Sequence, residues 1–198
     1  SPNSRPIKRT AMGRVQREGA TTVLDPSGHV VVYSGDDHYF EYLYRFVSKE
    51  KYNPNSRESN LSLLNEGTLS VAQFQANGTL KWHPLIFGEG PLTSKNGFEN
   101  QADLLIQAKQ VADLLGATPM DRPEGIAVNP KTGRVYVMLT KNKKRTADQA
   151  SGPNPIANNL HGHILKIIPS PDKKTAYNVR IRRFTGTLRL VYGNKRSY

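Results

Sequence analysis

Short β-rich runs separated by tight-turn residues recur along the chain. Thr21-Thr22-Val23-Leu24 meets Asp25-Pro26-Ser27-Gly28 and returns as His29-Val30-Val31-Val32-Tyr33. Ile126-Ala127-Val128 meets Asn129-Pro130-Lys131-Thr132-Gly133 and returns as Arg134-Val135-Tyr136-Val137-Met138-Leu139. Asx and Pro favour turns and Gly supplies the positive φ at their exit, so both stretches predict hairpins. A third hairpin is predicted where Val71-Ala72-Gln73-Phe74-Gln75 turns at Asn77-Gly78, a two-residue signal, into Thr79-Leu80-Lys81-Trp82. Glu41 to Val47 reads as a strand with Tyr42, Tyr44 and Phe46 on one face and Leu43, Arg45 and Val47 on the other, and Gly162 to Ile168 is a further strand. One helix interrupts them near 101–115, where Leu104, Ala108, Val111 and Leu115 fall at helical spacing between Asn100, a predicted N-cap, and Gly116, a predicted C′ residue. It carries no assigned chemistry. The pattern alone gives a mostly β fold, a propeller, sandwich or barrel.

Composition narrows this only slightly. The 198 residues suffice for one domain, and 36% hydrophobic residues with 16 Gly and 13 Pro suit a turn-rich globular chain. No run of about 18 apolar residues predicts a membrane-spanning helix. No apolar segment of a signal peptide follows Ser1-Pro2-Asn3 and the first residue is not Met, so a processed or truncated N-terminus is expected. The absence of Cys excludes disulfides, thiolate catalysis and Cys-based zinc sites. The net charge of +12 is segregated: residues 1–132 carry 14 Lys+Arg against 14 Asp+Glu, whereas residues 133–198 carry 14 against 2. Such a basic end can bind nucleic acid or an anionic surface, which makes a binding module an alternative to an enzyme.

Candidate chemistry lies in a few segments. Asp121-Arg122-Pro123-Glu124 packs two carboxylates and a guanidinium into four residues. Pro123 restricts Arg122 and predicts an extended, rigid segment. The carboxylates suit calcium or a trivalent metal and the Arg suits a phosphate oxygen, with a loop ion pair as the plain alternative. Asp36-Asp37 at the end of an apolar strand suits either a turn or calcium, Glu18 reads as an ordinary surface acid, and Leu64-Asn65-Glu66-Gly67-Thr68-Leu69 reads as a turn before a strand. His161 and His163 could reach a metal, but hydrogen-bonding roles are commoner for such a pair. No Gly-rich phosphate loop, His-Glu-x-x-His helix or Gly-x-Ser-x-Gly elbow is present.

Taken in order, six segments resemble the PhoX family of bacterial alkaline phosphatases. They are Met12-Gly13-Arg14 with Glu18; Tyr33-Ser34-Gly35-Asp36-Asp37; Glu41 to Val47; Glu66 to Ala72; Gly116 to Glu124, with Met120-Asp121-Arg122-Pro123-Glu124 its sharpest part; and Asn154-Pro155 with Asn158 and Gly162-His163-Ile164. The resemblance implies a partial β-propeller over residues 11–168, from a fold of about six blades, after an irregular lead-in at 1–10 and before a basic, divergent tail at 169–198. It further implies an iron- and calcium-dependent phosphatase acting on phosphate esters, exported to the periplasm or beyond; a monomer is expected. Glu18 and Glu124 then correspond to metal ligands, Asp36 and Asp121 to supporting ligands, and Arg122 to the catalytic, phosphate-contacting residue. Arg17 stands where the family has His, the family's upstream Cys has no counterpart, and family members are longer. A fragment, weak or inactive by itself, is therefore expected. A calcium-dependent lactonase-type propeller is a further alternative, since Gly125-Ile126-Ala127-Val128-Asn129-Pro130 is a phrase many propellers share.

Overall fold

A computed structural model describes residues 5–169 and the backbone of residues 175–182. Among the described residues, nine strands form one antiparallel sheet in the order β1-β2-β3-β4-β5-β9-β8-β7-β6. They are β1 (Thr21–Leu24), β2 (His29–Gly35), β3 (Leu43–Lys51), β4 (Gly67–Phe74), β5 (Leu80–Pro84), β6 (Pro123–Val128), β7 (Val135–Leu139), β8 (His163–Pro169) and β9 (Thr175–Arg182). Among the described residues, β5 meets β9 through Leu80 with Ala176 and Lys81 with Thr175, and β1–β5 and β6–β9 form two blade-like meanders. This is the mostly β, partial-propeller architecture that the sequence predicts. A short helix, α1 (Arg57–Asn60), lies in the 50–60 loop. Residues 1–4 of the lead-in lie outside the described residues, as does the basic tail apart from Pro169 and the backbone of 175–182.

The predicted hairpins form for local reasons. Asp25 Oδ1 accepts from the backbone N–H of Ser27 (2.8 Å) and of His29 (3.1 Å), and Gly28 sits at φ +89°. Asn129 repeats the device by accepting from Lys131 and Thr132, with Gly133 at φ +65°. At Asn77-Gly78 the turn is longer than the two-residue form expected. Gly78 N–H bonds Gln75 O and Gln75 N–H bonds Thr79 O, which makes a three-residue loop closed by a left-handed Gly.

Strand alternation sorts the core into two layers. Val30, Val32, Tyr44, Phe46, Leu69 and Val71 face the helices, packing on Leu104, Ala108, Val111 and Ala112. Val31, Tyr33, Leu43, Leu80 and Trp82 face the second meander, packing on Val135, Val137, Leu139, Leu165 and Ile167. The predicted helix is broken into α2 (Gln101–Ile106) and α3 (Ala108–Leu114). Its ends are as predicted: the Asn100 side chain caps Asp103 N–H at 3.0 Å, and Gly116 takes φ +65°. The break at Gln107 has a visible cause, because Leu105 O accepts from Arg14 N–H (2.8 Å) instead of continuing the helical ladder.

Candidate metal and phosphate site

The end of β2 approaches the start of β6 closely. Gly35 is the contact point, and a Cβ there would lie 2.0 Å from Pro123 O. This approach sets residues 36–37 against residues 121–124. The segment before β1 is laced to the same place, since Asp37 N–H donates to Gln16 O (2.7 Å) and Arg17 forms a backbone bridge with Asp36. Three distant stretches of sequence therefore meet at one corner.

Glu18, Asp37 and Glu124 converge there, each offering one carboxylate oxygen, all within 4.8 Å of one another. Arg122 Nε lies 2.8 Å from Asp37 Oδ1, an ion-pair contact without hydrogen-bond geometry, while Nη2 donates to Asp37 Oδ2 at 3.4 Å. Arg122 Nη1 lies 3.3 Å from Glu124 Oε1, and Thr140 Oγ1 donates to that same oxygen at 2.7 Å. Repulsion shows in the acids. The Glu124 charge first, then burial and Asp37, raise the Glu18 carboxyl above its usual range. Burial first and then Glu124 raise Asp37, against the pull of Arg122.

Arg122 departs from the extended segment that Pro123 suggests: its φ is +59°, in the left-handed region. The β6–β7 register shifts between Pro123 and Ile126, which turns Glu124 toward the Arg122 side. The local bulge and the two ion pairs hold a backbone that the following proline alone would not select.

The other two expected ligands sit elsewhere. Asp36 is fully buried and shares the face of Val30, Val32 and Ser34, so it points to the helix layer. There its Oδ2 is 3.2 Å from Lys109 Nζ, which also lies 3.2 Å from Glu41 Oε1. Burial alone would lower the Lys109 pKa, but these two carboxylates raise it. Asp121 is fully buried as well, with Arg145 Nε 2.5 Å from Oδ1 and Asn159 Nδ2 donating to Oδ2 at 3.0 Å. Asp37 is the residue that sequence reasoning passed over in favour of its neighbour. The signal was available in strand parity, since Asp37 continues the face of Val31 and Tyr33, which looks toward β6. The Arg17 guanidinium turns away to the carbonyls of Met12 (2.5 Å) and Gly13 (3.4 Å). His163 bonds Pro153 O (2.7 Å) and Asn159, and neither it nor His161 belongs to the cluster.

The donor set fits a hard cation. Three carboxylates and one guanidinium leave two net negative charges, and all the donors are oxygen, as calcium prefers. The guanidinium beside them supplies paired N–H groups suited to a phosphate.

The family description "Alkaline phosphatase PhoX" matches residues 1–196. A solved structure, Pseudomonas fluorescens PhoX in complex with vanadate, a transition state analogue, is similar with a TM-score of 0.85 and 42% identity, over 89% of this chain and 33% of that one. The chain thus spans about a third of that protein's length. No curated protein matches.

Proposed function

The chain belongs to the alkaline phosphatase PhoX family, and from that premise we propose that its corner of carboxylates is part of a metal-dependent site for hydrolysing phosphate esters. Glu18, Asp37 and Glu124 would hold the metal, and Arg122 would take the phosphate. The observation that carries this reading is the convergence of three acids around one Arg, brought from residues 18, 37 and 122–124. Asp36 and Asp121, whose oxygens face Lys109 and Arg145, would act as braces beneath the site.

Arg122 performs the recognition. Its fork is planar and always charged, so it can bond two phosphoryl oxygens and strengthen those bonds as negative charge develops on them. Its present partners, Asp37 and Glu124, are the groups a cation would engage, which frees the guanidinium for the substrate. Bound there, the metals, calcium and iron as the family resemblance implies, supply Lewis-acid stabilisation of the phosphoryl oxygens. The oxygen-only donors favour calcium for this corner.

Three carboxylates offer at most six oxygens, whereas calcium takes about 6–8 and a site of two metals needs more. The chain alone would therefore turn over phosphate esters weakly or not at all. Family resemblance supports export to the periplasm or beyond. No helix among the described residues is long and apolar enough to cross a membrane.

The test is calcium calorimetry and p-nitrophenyl phosphate turnover, with calcium and iron supplied, against an Arg122→Ala/Glu124→Ala double variant. Calcium binding that the double variant loses is expected, with little turnover in either protein. A wild-type chain that binds no calcium overturns the metal assignment. Robust turnover that the double variant abolishes overturns the weak-activity reading.

A further inference from the structure

Thr140 follows the last residue of β7 and belongs to no motif in the sequence. It nevertheless contacts both functional halves of the corner. Its backbone N–H donates to Arg122 O at 3.3 Å, and its hydroxyl lies 2.7 Å from Glu124 Oε1 and 3.4 Å from Arg122 O. A hydroxyl has one proton to give, and the shorter bond to an ionised carboxylate takes it.

The position of these contacts matters as much as their number. Arg122 is in the left-handed region and precedes a proline, so its conformation needs support from outside its own dipeptide. Glu124 sits in the register shift of β6, where strand pairing no longer dictates its direction. Thr140 is the residue of the facing strand's end that reaches across this irregularity to both.

Resting on the function proposed above, we infer that Thr140 is a positioning residue that couples the cation half of the site to its anion half. The hydroxyl fixes the rotation of the Glu124 carboxylate, leaving it aimed at Glu18 and Asp37. The backbone N–H fixes the Arg122 carbonyl, and with it the direction of the guanidinium. A metal ligand held by an outer partner loses about 10–100-fold in metal affinity when that partner is removed.

The experiment compares the full chain with Thr140→Val, which keeps the volume and the backbone donor, and Thr140→Ser, which keeps the hydroxyl. Thr140→Ala replaces the valine variant if that one fails to fold. Calcium and orthovanadate affinities are measured separately by calorimetry, and folding by thermal melting. The expected result is a loss of calcium affinity of about tenfold or more in Thr140→Val, a weaker affinity for vanadate, and recovery of both in Thr140→Ser. A merely structural role would shift the melting temperature and leave both affinities in place. Wild-type affinities in Thr140→Val, or a serine variant as weak as the valine one, overturn the inference. If the wild-type chain binds vanadate but not calcium, the metal assignment fails and the vanadate comparison still decides the role of Thr140. Binding of neither ion overturns both.

Discussion

Asp36 and Asp37 are adjacent and chemically identical, yet strand parity sends one to the helix layer beside Lys109 and the other to the corner beside Arg122. A one-residue slip in β2 would exchange them. The crowding of Asp37 with Glu18 and Glu124 has a pH signature. Because the Glu18 and Asp37 carboxyls are raised, the folded chain holds their protons more tightly than the unfolded chain does. Without metal, stability therefore falls as pH rises through the carboxyl range, and a bound cation restores it. The same protons compete with calcium, so affinity is expected to be higher at pH 8 than at pH 5, with protons released on binding at the lower pH. Calorimetry in buffers of different ionisation enthalpy checks this. Arg122→Ala should widen the gap, since Arg122 lowers both carboxyls. An affinity that does not change between the two pH values would refute it.

At the scale of elements, the site depends on how closely β2 and β6 approach. Gly35 is required there for space, because a Cβ would meet Pro123 O at 2.0 Å and a backbone carbonyl cannot swing away as a side chain can. Gly35→Ala is expected to cost about 1–3 kcal/mol, as overpacking does, and to weaken calcium binding by moving Asp37 from Glu124. Gly125→Ala is the control, since a Cβ at that position meets nothing within 4 Å. Denaturant melts and calcium titrations of both variants decide the point, and equal behaviour would sink it. The broken helix follows the same logic of competing partners. Its apolar spacing and both caps are local, but the bond from Arg14 N–H to Leu105 O comes from a segment about 90 residues earlier in the chain.

Across the whole molecule, the two meanders are joined by a buried polar cluster as well as by their shared apolar layer. Arg145 pairs with Asp121 Oδ1, donates to Pro119 O (2.8 Å) and Gln149 O (3.0 Å), and stacks 5.0 Å from the Phe40 ring. Tyr39 bridges Asp121 along the backbone. The loop after β7 is thereby fastened to the segment that precedes β6 and to the end of the first meander. Arg145→Met would leave the Asp121 carboxylate buried without its cation, and a destabilisation of about 3–5 kcal/mol is expected. The Asp121→Asn/Arg145→Met double variant should recover part of that loss, because the stranded charge is gone. Thermal or denaturant unfolding of the three proteins measures it, and a double variant less stable than the single one would show that the pair is not what joins the parts.

Much of this was legible in the chain. The turns at Asp25 and Asn129, the faces of Tyr44 and Phe46 against Leu43, and the caps at Asn100 and Gly116 depend on neighbours within a few residues, so sequence pattern reports them. The motifs around Glu18 and Met120-Asp121-Arg122-Pro123-Glu124 pointed to the family. What sequence could not decide was any choice set by distant partners. Asp121 turns inward to Arg145, Arg122 adopts a positive φ despite Pro123, and Thr140 enters the site. Each of these follows from packing one strand end against another, where a carboxylate's role is fixed by the charge and space that the fold brings to it.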